Sequence, residues 1–288
     1  TVAALIAAAK AKPGGITFCH ENAHVAEDEC GAVEYLTGGS RLSLIPGADG
    51  KMDLATLEKA IARNPAAFVH GGQPMGITIT QATEAGTVHA LDEIRAISAI
   101  AKANALPLHM DGARFANALV SLGCSPAEMT WKSGVDILSF GATKNGCWCA
   151  EAIVVFDKAL DAQMPFLRKR GAQLFSKSRF IAAQFEAYFE GDLWLDSARH
   201  ANAMATVLAE GIAKSGRARL HTKPQANEVF AILTNADIER LRAAGAVFYD
   251  WHAPSDGSVK HGETMIRLVT SFATRLEEAD NLIARIKT

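Results

Sequence analysis

The sequence predicts an α/β protein: a large domain with a mostly parallel sheet, followed by a smaller C-terminal α+β domain. Three observations carry this reading. Short apolar strands alternate with helices up to about residue 160, the pattern of βα units on a parallel sheet. Two of those strands, 106–110 and 135–140, run into glycine-containing turns that carry Asp111 and Lys144. Past residue 160 the texture changes to long helices and then to a strand-helix-strand-strand-helix tail.

The 288 residues are enough for one large and one smaller core. Hydrophobic residues make up 49% and charged residues 21%, which excludes a disordered chain. A net charge of −2 gives no reason to expect a nucleic-acid or anionic-membrane partner, and the cluster Arg168-Lys169-Arg170 is too short to argue otherwise. The five cysteines, Cys19, Cys30, Cys124, Cys147 and Cys149, lack the paired spacing of a zinc site or a disulfide framework. A reducing cytoplasm is the expected compartment, and no metal is expected.

Taken in order, 1–10 reads as a buried helix, too short to span a bilayer and without a basic leader. It starts in mid-helix with no strand before it, so an upstream segment is expected. Pro13-Gly14-Gly15 marks a turn and 16–19 a strand; a helix over 26–37 is closed by Gly38-Gly39. A strand at 42–45 precedes a helix over 53–62, with Asp53 as N-cap and Leu54, Leu57 and Ile61 at helical spacing. Residues 67–70 and 77–80 read as a strand and its continuation, and 91–104 as an amphipathic helix. The strands 106–110 and 135–140 flank a helix over 113–122, and 152–156 is a fully apolar strand. Helices are expected over 175–189 and 193–214. The tail reads as strand 228–233, helix 236–244, strands 247–251 and 264–269, and helix 273–286. A boundary near residue 190 divides the chain into 1–190, the large domain with a connecting helix, and 191–288, a helix and the small domain.

In an open α/β sheet ligands bind beyond the carboxyl ends of the strands, so Asp111 and Lys144 would face one crevice. An isolated Asp-Gly is more often a helix cap, and the functional reading needs a buried anion opposite a cationic ring nitrogen. Most lysines are solvated. At the end of a wholly apolar strand exposure is less expected, and desolvation would make the amine a nucleophile toward a carbonyl. Arg114, in the first turn of a helix, opposes the helix dipole and suggests carboxylate capture, with Arg267 a second candidate. His24 could cap its segment, stay solvated, or stack on a flat cofactor.

At these residues the chain resembles the low-specificity threonine aldolases of the β-eliminating lyase group, which are fold type I pyridoxal-phosphate enzymes. The likeness is carried by His109-Met110-Asp111-Gly112-Ala113-Arg114, by 139–146 (Ser-Phe-Gly-Ala-Thr-Lys-Asn-Gly) and by Arg267-Leu268-Val269-Thr270. The resemblance implies that Lys144 binds pyridoxal 5'-phosphate covalently, with Thr143 beside it, and that Asp111 pairs with the pyridine nitrogen. It implies that Arg114 and Arg267 hold the substrate α-carboxylate, that His24 stacks on the cofactor ring, and that Lys177 lies near the site.

Two departures follow. Where many relatives place a histidine near the substrate hydroxyl, this chain has Glu84, so His24, Glu84 or a water is the expected base. The Gly-Thr loop that cradles the cofactor phosphate and an upstream Ser-Asp segment would precede Thr1. The implied activity is cleavage of L-threonine, L-allo-threonine and related β-hydroxy-α-amino acids to glycine and an aldehyde. The alternatives are another β-eliminating lyase reaction, or a truncated chain without activity. A homodimer or homotetramer is implied as the assembly.

Overall fold

The computed structural model describes residues 14–254 and 256–288. The helix read over 1–10 lies outside the described residues. A six-stranded sheet is built from β1 (Ile16–His20), β2 (Arg41–Ile45), β3 (Pro74–Thr80), β4 (Leu108–Gly112), β5 (Ile137–Gly141) and β6 (Glu151–Val155). Its order is β2-β1-β3-β4-β5-β6, parallel throughout except for β6, which runs antiparallel to β5 at the edge. The inner strands are apolar because helices cover both faces. Ile16, Phe18, Ile77, Leu108 and Met110 are fully buried in one core with Leu57, Ile94 and Ile97 from the helices Leu54–Ala62 and Leu91–Ala103.

His109 shows how this core takes a polar residue. It is completely buried, with Nδ1 2.8 Å from Thr78 Oγ1 and Nε2 2.8 Å from Ser139 Oγ, so it bridges β3 and β5 across β4. Burial pushes its pKa down to about 3, which keeps the ring neutral.

A second sheet is antiparallel, in the order β7-β8-β10-β9: β7 (Arg219–Leu220), β8 (Glu228–Thr234), β9 (Tyr249–Trp251) and β10 (Glu263–Val269). Its strands alternate. Val229, Ala231, Leu233, Ile266 and Leu268 enter a core with the helices Leu193–Ala213, Asn235–Ala243 and Leu276–Lys287, while Glu228, Phe230, Met265 and Arg267 occupy the other face. The helix Leu193–Ala213 touches both parts of the molecule. Asn202 exchanges hydrogen bonds with Asn117 of the helix Phe115–Leu122, and Gly211 lets Ile283 approach so closely that a Cβ there would lie 2.3 Å from Ile283 Cδ1.

Several expected elements shift. The segment 67–70 is turn rather than strand: Phe68 bonds back to Pro65, and Phe68 and Val69 are exposed with no strand alongside among the described residues. The helix expected over 26–37 is two pieces, His24–Glu27 and Ala32–Leu36, because Cys30 and Gly31 adopt positive φ of 52° and 69°. The helix expected from residue 175 starts at Arg179, and β9 starts at Tyr249 rather than 247. Among the described residues no helix is long and apolar enough to cross a membrane.

Candidate active site

The carboxyl ends of β4 and β5 lie side by side, with Asp111 opposite Ser139 and Gly112 opposite Phe140. Asp111 belongs to the strand itself, one residue from its end, rather than following it. The 6% exposed carboxylate accepts the Ala113 N–H at 3.0 Å through Oδ1, shaping the turn into the next helix. Gly112 is required at this bend, because a Cβ would lie 2.8 Å from both Leu138 Cδ1 and Ser139 O. Arg114 sits at the N-cap of the helix Phe115–Leu122 rather than within its first turn.

Beyond β5 the chain makes a single 3-10 turn, Thr143–Asn145. Thr143 accepts the Ala150 N–H through Oγ1 at 3.1 Å. Asn145 is buried and anchors the turn: its Nδ2 donates to Tyr188 Oη at 2.6 Å and to Trp194 O at 2.8 Å. Tyr188 and Trp194 belong to an aromatic cluster with Phe140, Phe185 and Phe189, which packs the end of β5 against later helices.

Lys144, contrary to the expectation from its apolar strand, is exposed, although Ala142 and Asn145 on either side of it in the turn are buried. Its pKa is nevertheless lowered, first by partial desolvation of the amine and then by the Arg114 guanidinium. Asp111, Glu228 and Arg267 also act on it, the two acids in the opposite direction. Lys144, Asp111, Arg114 and Arg267 therefore share one electrostatic neighbourhood, to which the first sheet contributes three residues and the second sheet Arg267.

His24 opens its short helix. Its ring Nδ1 lies 3.3 Å from Glu29 Oε1, and this bond is the main cause of a raised pKa; partial burial and Lys144 oppose it. Its backbone N–H donates to Glu84 Oε1 at 2.8 Å. Glu84, in the segment after β3, has its Oε2 shut off from solvent. Burial pushes its pKa up to about 7, with Asp111 adding to the rise and the His24 N–H opposing it.

That segment is clamped to the loop between β7 and β8. Gln225 N–H donates to Gly86 O at 2.9 Å, Thr222 Oγ1 to Ala85 O at 3.2 Å, and Val88 N–H to Gln225 Oε1 at 2.7 Å. Gly86 has a φ of +72° and would place a Cβ 2.9 Å from Glu228 O.

Of the residues expected from the sequence, Lys144, Asp111, Arg114, Arg267, His24 and Glu84 come together and Thr143 adjoins them. Lys177 does not join them. It is exposed in the turn before the helix Arg179–Tyr188 and makes no contact with the cluster among the described residues. Sequence reasoning missed Glu228, whose 1% exposed carboxylate lies 3.0 Å from Arg114 Nη2 and 3.4 Å from Arg267 Nε. It also missed Trp251, whose ring centre lies 4.5 Å from the Arg267 guanidinium carbon. The signal for Glu228 was an acid opening an otherwise apolar strand. Among the described residues no group of three or more His, Cys, Asp or Glu side chains could hold a metal ion.

Comparison with known proteins places this arrangement. Residues 1–236 match the family model described as Beta-eliminating lyase. A low specificity L-threonine aldolase of Pseudomonas aeruginosa is 43% identical over 271 residues, 94% of this chain and 75% of that protein. Another from a Pseudomonas species is 44% identical over 233 residues, 81% of this chain and 66% of that protein. The solved structure of a Leishmania major threonine aldolase superposes with a TM-score of 0.89 at 29% identity, covering 99% of this chain and 80% of that one. The chain therefore belongs to the beta-eliminating lyase family, on the branch that includes the low-specificity L-threonine aldolases.

Proposed function

We propose that the protein is a pyridoxal 5'-phosphate-dependent carbon-carbon lyase that cleaves L-threonine, L-allo-threonine and related β-hydroxy-α-amino acids to glycine and an aldehyde. The observation that carries this reading is the pairing of a buried carboxylate, Asp111, with an amine of lowered pKa, Lys144, at the ends of adjacent parallel strands, with two arginines beside them. This donor set fits the cofactor: an amine that sheds its proton readily suits a reactive carbonyl, and a buried anion suits a ring nitrogen that must stay protonated. When bound, pyridoxal phosphate supplies a sink for the electron pair released as the Cα–Cβ bond breaks.

The chain's own residues do the rest. Lys144 would hold the cofactor covalently, with Thr143 beside it, and return as a proton carrier once the substrate amine takes its place. Asp111 would hold a proton on the ring nitrogen. Arg114 and Arg267 would bind the α-carboxylate and so fix the orientation of the bond to be broken. Of the three candidates, His24, Glu84 and a water, Glu84, with a pKa near neutrality, would take the β-hydroxyl proton, and its bond to the His24 N–H would position His24 against the ring. Lys177 would reach substrate only if its turn faced the site in an assembled oligomer. Residues 1–190 would form the cofactor domain and 191–288 the smaller domain. The family resemblance favours a cytoplasmic homodimer or homotetramer, which light scattering would size.

The test is to supply purified protein with cofactor and threonine. Equal amounts of acetaldehyde and glycine support the reading. Pyruvate and ammonia from serine would indicate β-elimination instead, and no product from either substrate would overturn it.

A further inference from the structure

Glu228 opens β8, where the following residues are apolar, yet its side chain is more deeply buried than either arginine it meets: 1% exposed against 12% for Arg114 and 23% for Arg267. A single oxygen, Oε1, approaches both guanidinium groups, while Oε2 has no hydrogen-bond partner among the described residues. The register explains the geometry. Glu228 pairs with Val269 and Phe230 with Arg267, so Glu228 and Arg267 are diagonal neighbours on one face of the sheet. Trp251 packs on the Arg267 guanidinium. Glu228 is thus built into the arginine pair.

Its effect is on charge. Two guanidinium groups alone present two positive charges and would draw in a dianion strongly; with Glu228 between them the set carries one, which matches one carboxylate. We propose that Glu228 is a specificity-determining residue: it neutralises one charge of the Arg114–Arg267 pair, so that the pair accepts an amino acid with a single carboxylate and turns away one whose side chain carries a second acid group. This rests on the reading of Arg114 and Arg267 as the carboxylate holders. An acid at Cβ would otherwise be attracted to the surplus charge.

Glu228→Gln keeps the shape and removes the charge. The probes are acetate and malonate, with affinity read by calorimetry on the cofactor-loaded protein and by thermal shift on the protein without cofactor. The native protein should bind malonate no more than about threefold better than acetate. In Glu228→Gln the preference for malonate should rise on the order of tenfold, and KM for 3-hydroxyaspartate should fall relative to KM for threonine. Glu228→Asp, which restores the charge, should restore the native ratio.

An unchanged malonate-to-acetate ratio in folded Glu228→Gln overturns the proposal, because a purely structural role would lower the melting temperature without moving that ratio. Should that variant not fold, Arg267→Gln carries the test. The remaining Arg114–Glu228 pair has no net charge, so both anions should bind at least about tenfold more weakly, and native-like malonate binding overturns the proposal. A native protein that yields no acetaldehyde from threonine would count against the aldolase reading alone, since the anion ratio is measured without turnover.

Discussion

The two sheets present charge to the site in different ways. The parallel sheet uses strand ends: Asp111 at the close of β4 and Lys144 in the turn beyond β5 stand where the backbone leaves its ladder. The antiparallel sheet uses a face: Glu228, the first residue of β8, and Arg267, inside β10, project from the same side of a paired ladder, held by register and by one another. Strand ends can carry a group that must react and move, the role proposed for the exposed Lys144. A ladder face keeps charges at fixed separations and suits groups that only bind.

Lys144→Ala should break the comparison most severely. It should cost at least about a thousandfold in acetaldehyde formation, while shifting the melting temperature little because the side chain is exposed. A borohydride-stable link to the cofactor in that variant would show that another amine reacts.

Arg267→Ala should act through binding, raising KM for threonine by about a hundredfold with a smaller change in kcat. It should also destabilise the fold by about 2 kcal/mol, because Glu228 loses one of its two partners. An unchanged KM would remove the second sheet from substrate binding.

Glu84→Gln tests the junction through pH. The folded pKa of Glu84 is raised to about 7, so its contribution to stability is fully present below the ordinary glutamate value and is lost as pH rises through about 7. The amide variant should therefore flatten the melting temperature against pH between about 5 and 8, removing at most about 3 kcal/mol of dependence. If Glu84 takes the substrate proton, the rise in native activity through the same range should vanish as well.

Gly86→Ala should loosen the contact between the segment carrying Glu84 and β8 by about 1–3 kcal/mol, combining positive φ with a clash against Glu228 O. The smallest effect is expected from Glu29→Gln, which removes the main cause of the raised His24 pKa. That pKa should fall toward the ordinary histidine value in an NMR titration.

The sheet of the large part was legible because β1, β3, β4 and β5 are short apolar runs between helices of clear periodicity. The apolar run at 67–70 misled because periodicity carries no information about partners, and this segment has no strand partner among the described residues. β7, two residues long, was too short to read. Lys144 and Asp111 could be found because strand ends followed by glycine are local signals. The exposure of Lys144 against the burial of Asp111 could not, since it depends on how each side chain packs in the folded chain. Glu228 was unreadable for a related reason: an acid at the head of an apolar strand takes its meaning from Arg114 and Arg267, which arrive from distant parts of the chain.

The anchoring of Asn145 by Tyr188 and the Trp194 carbonyl, 43 and 49 residues further on, sets a timetable for synthesis. A nascent chain that has just emerged past β6 already contains Lys144, Asp111 and the Thr143–Ala150 bond, but not the two groups that Asn145 donates to. The turn that carries Lys144 therefore gains these two bonds only after residue 194 has been made, and Arg267 comes later still.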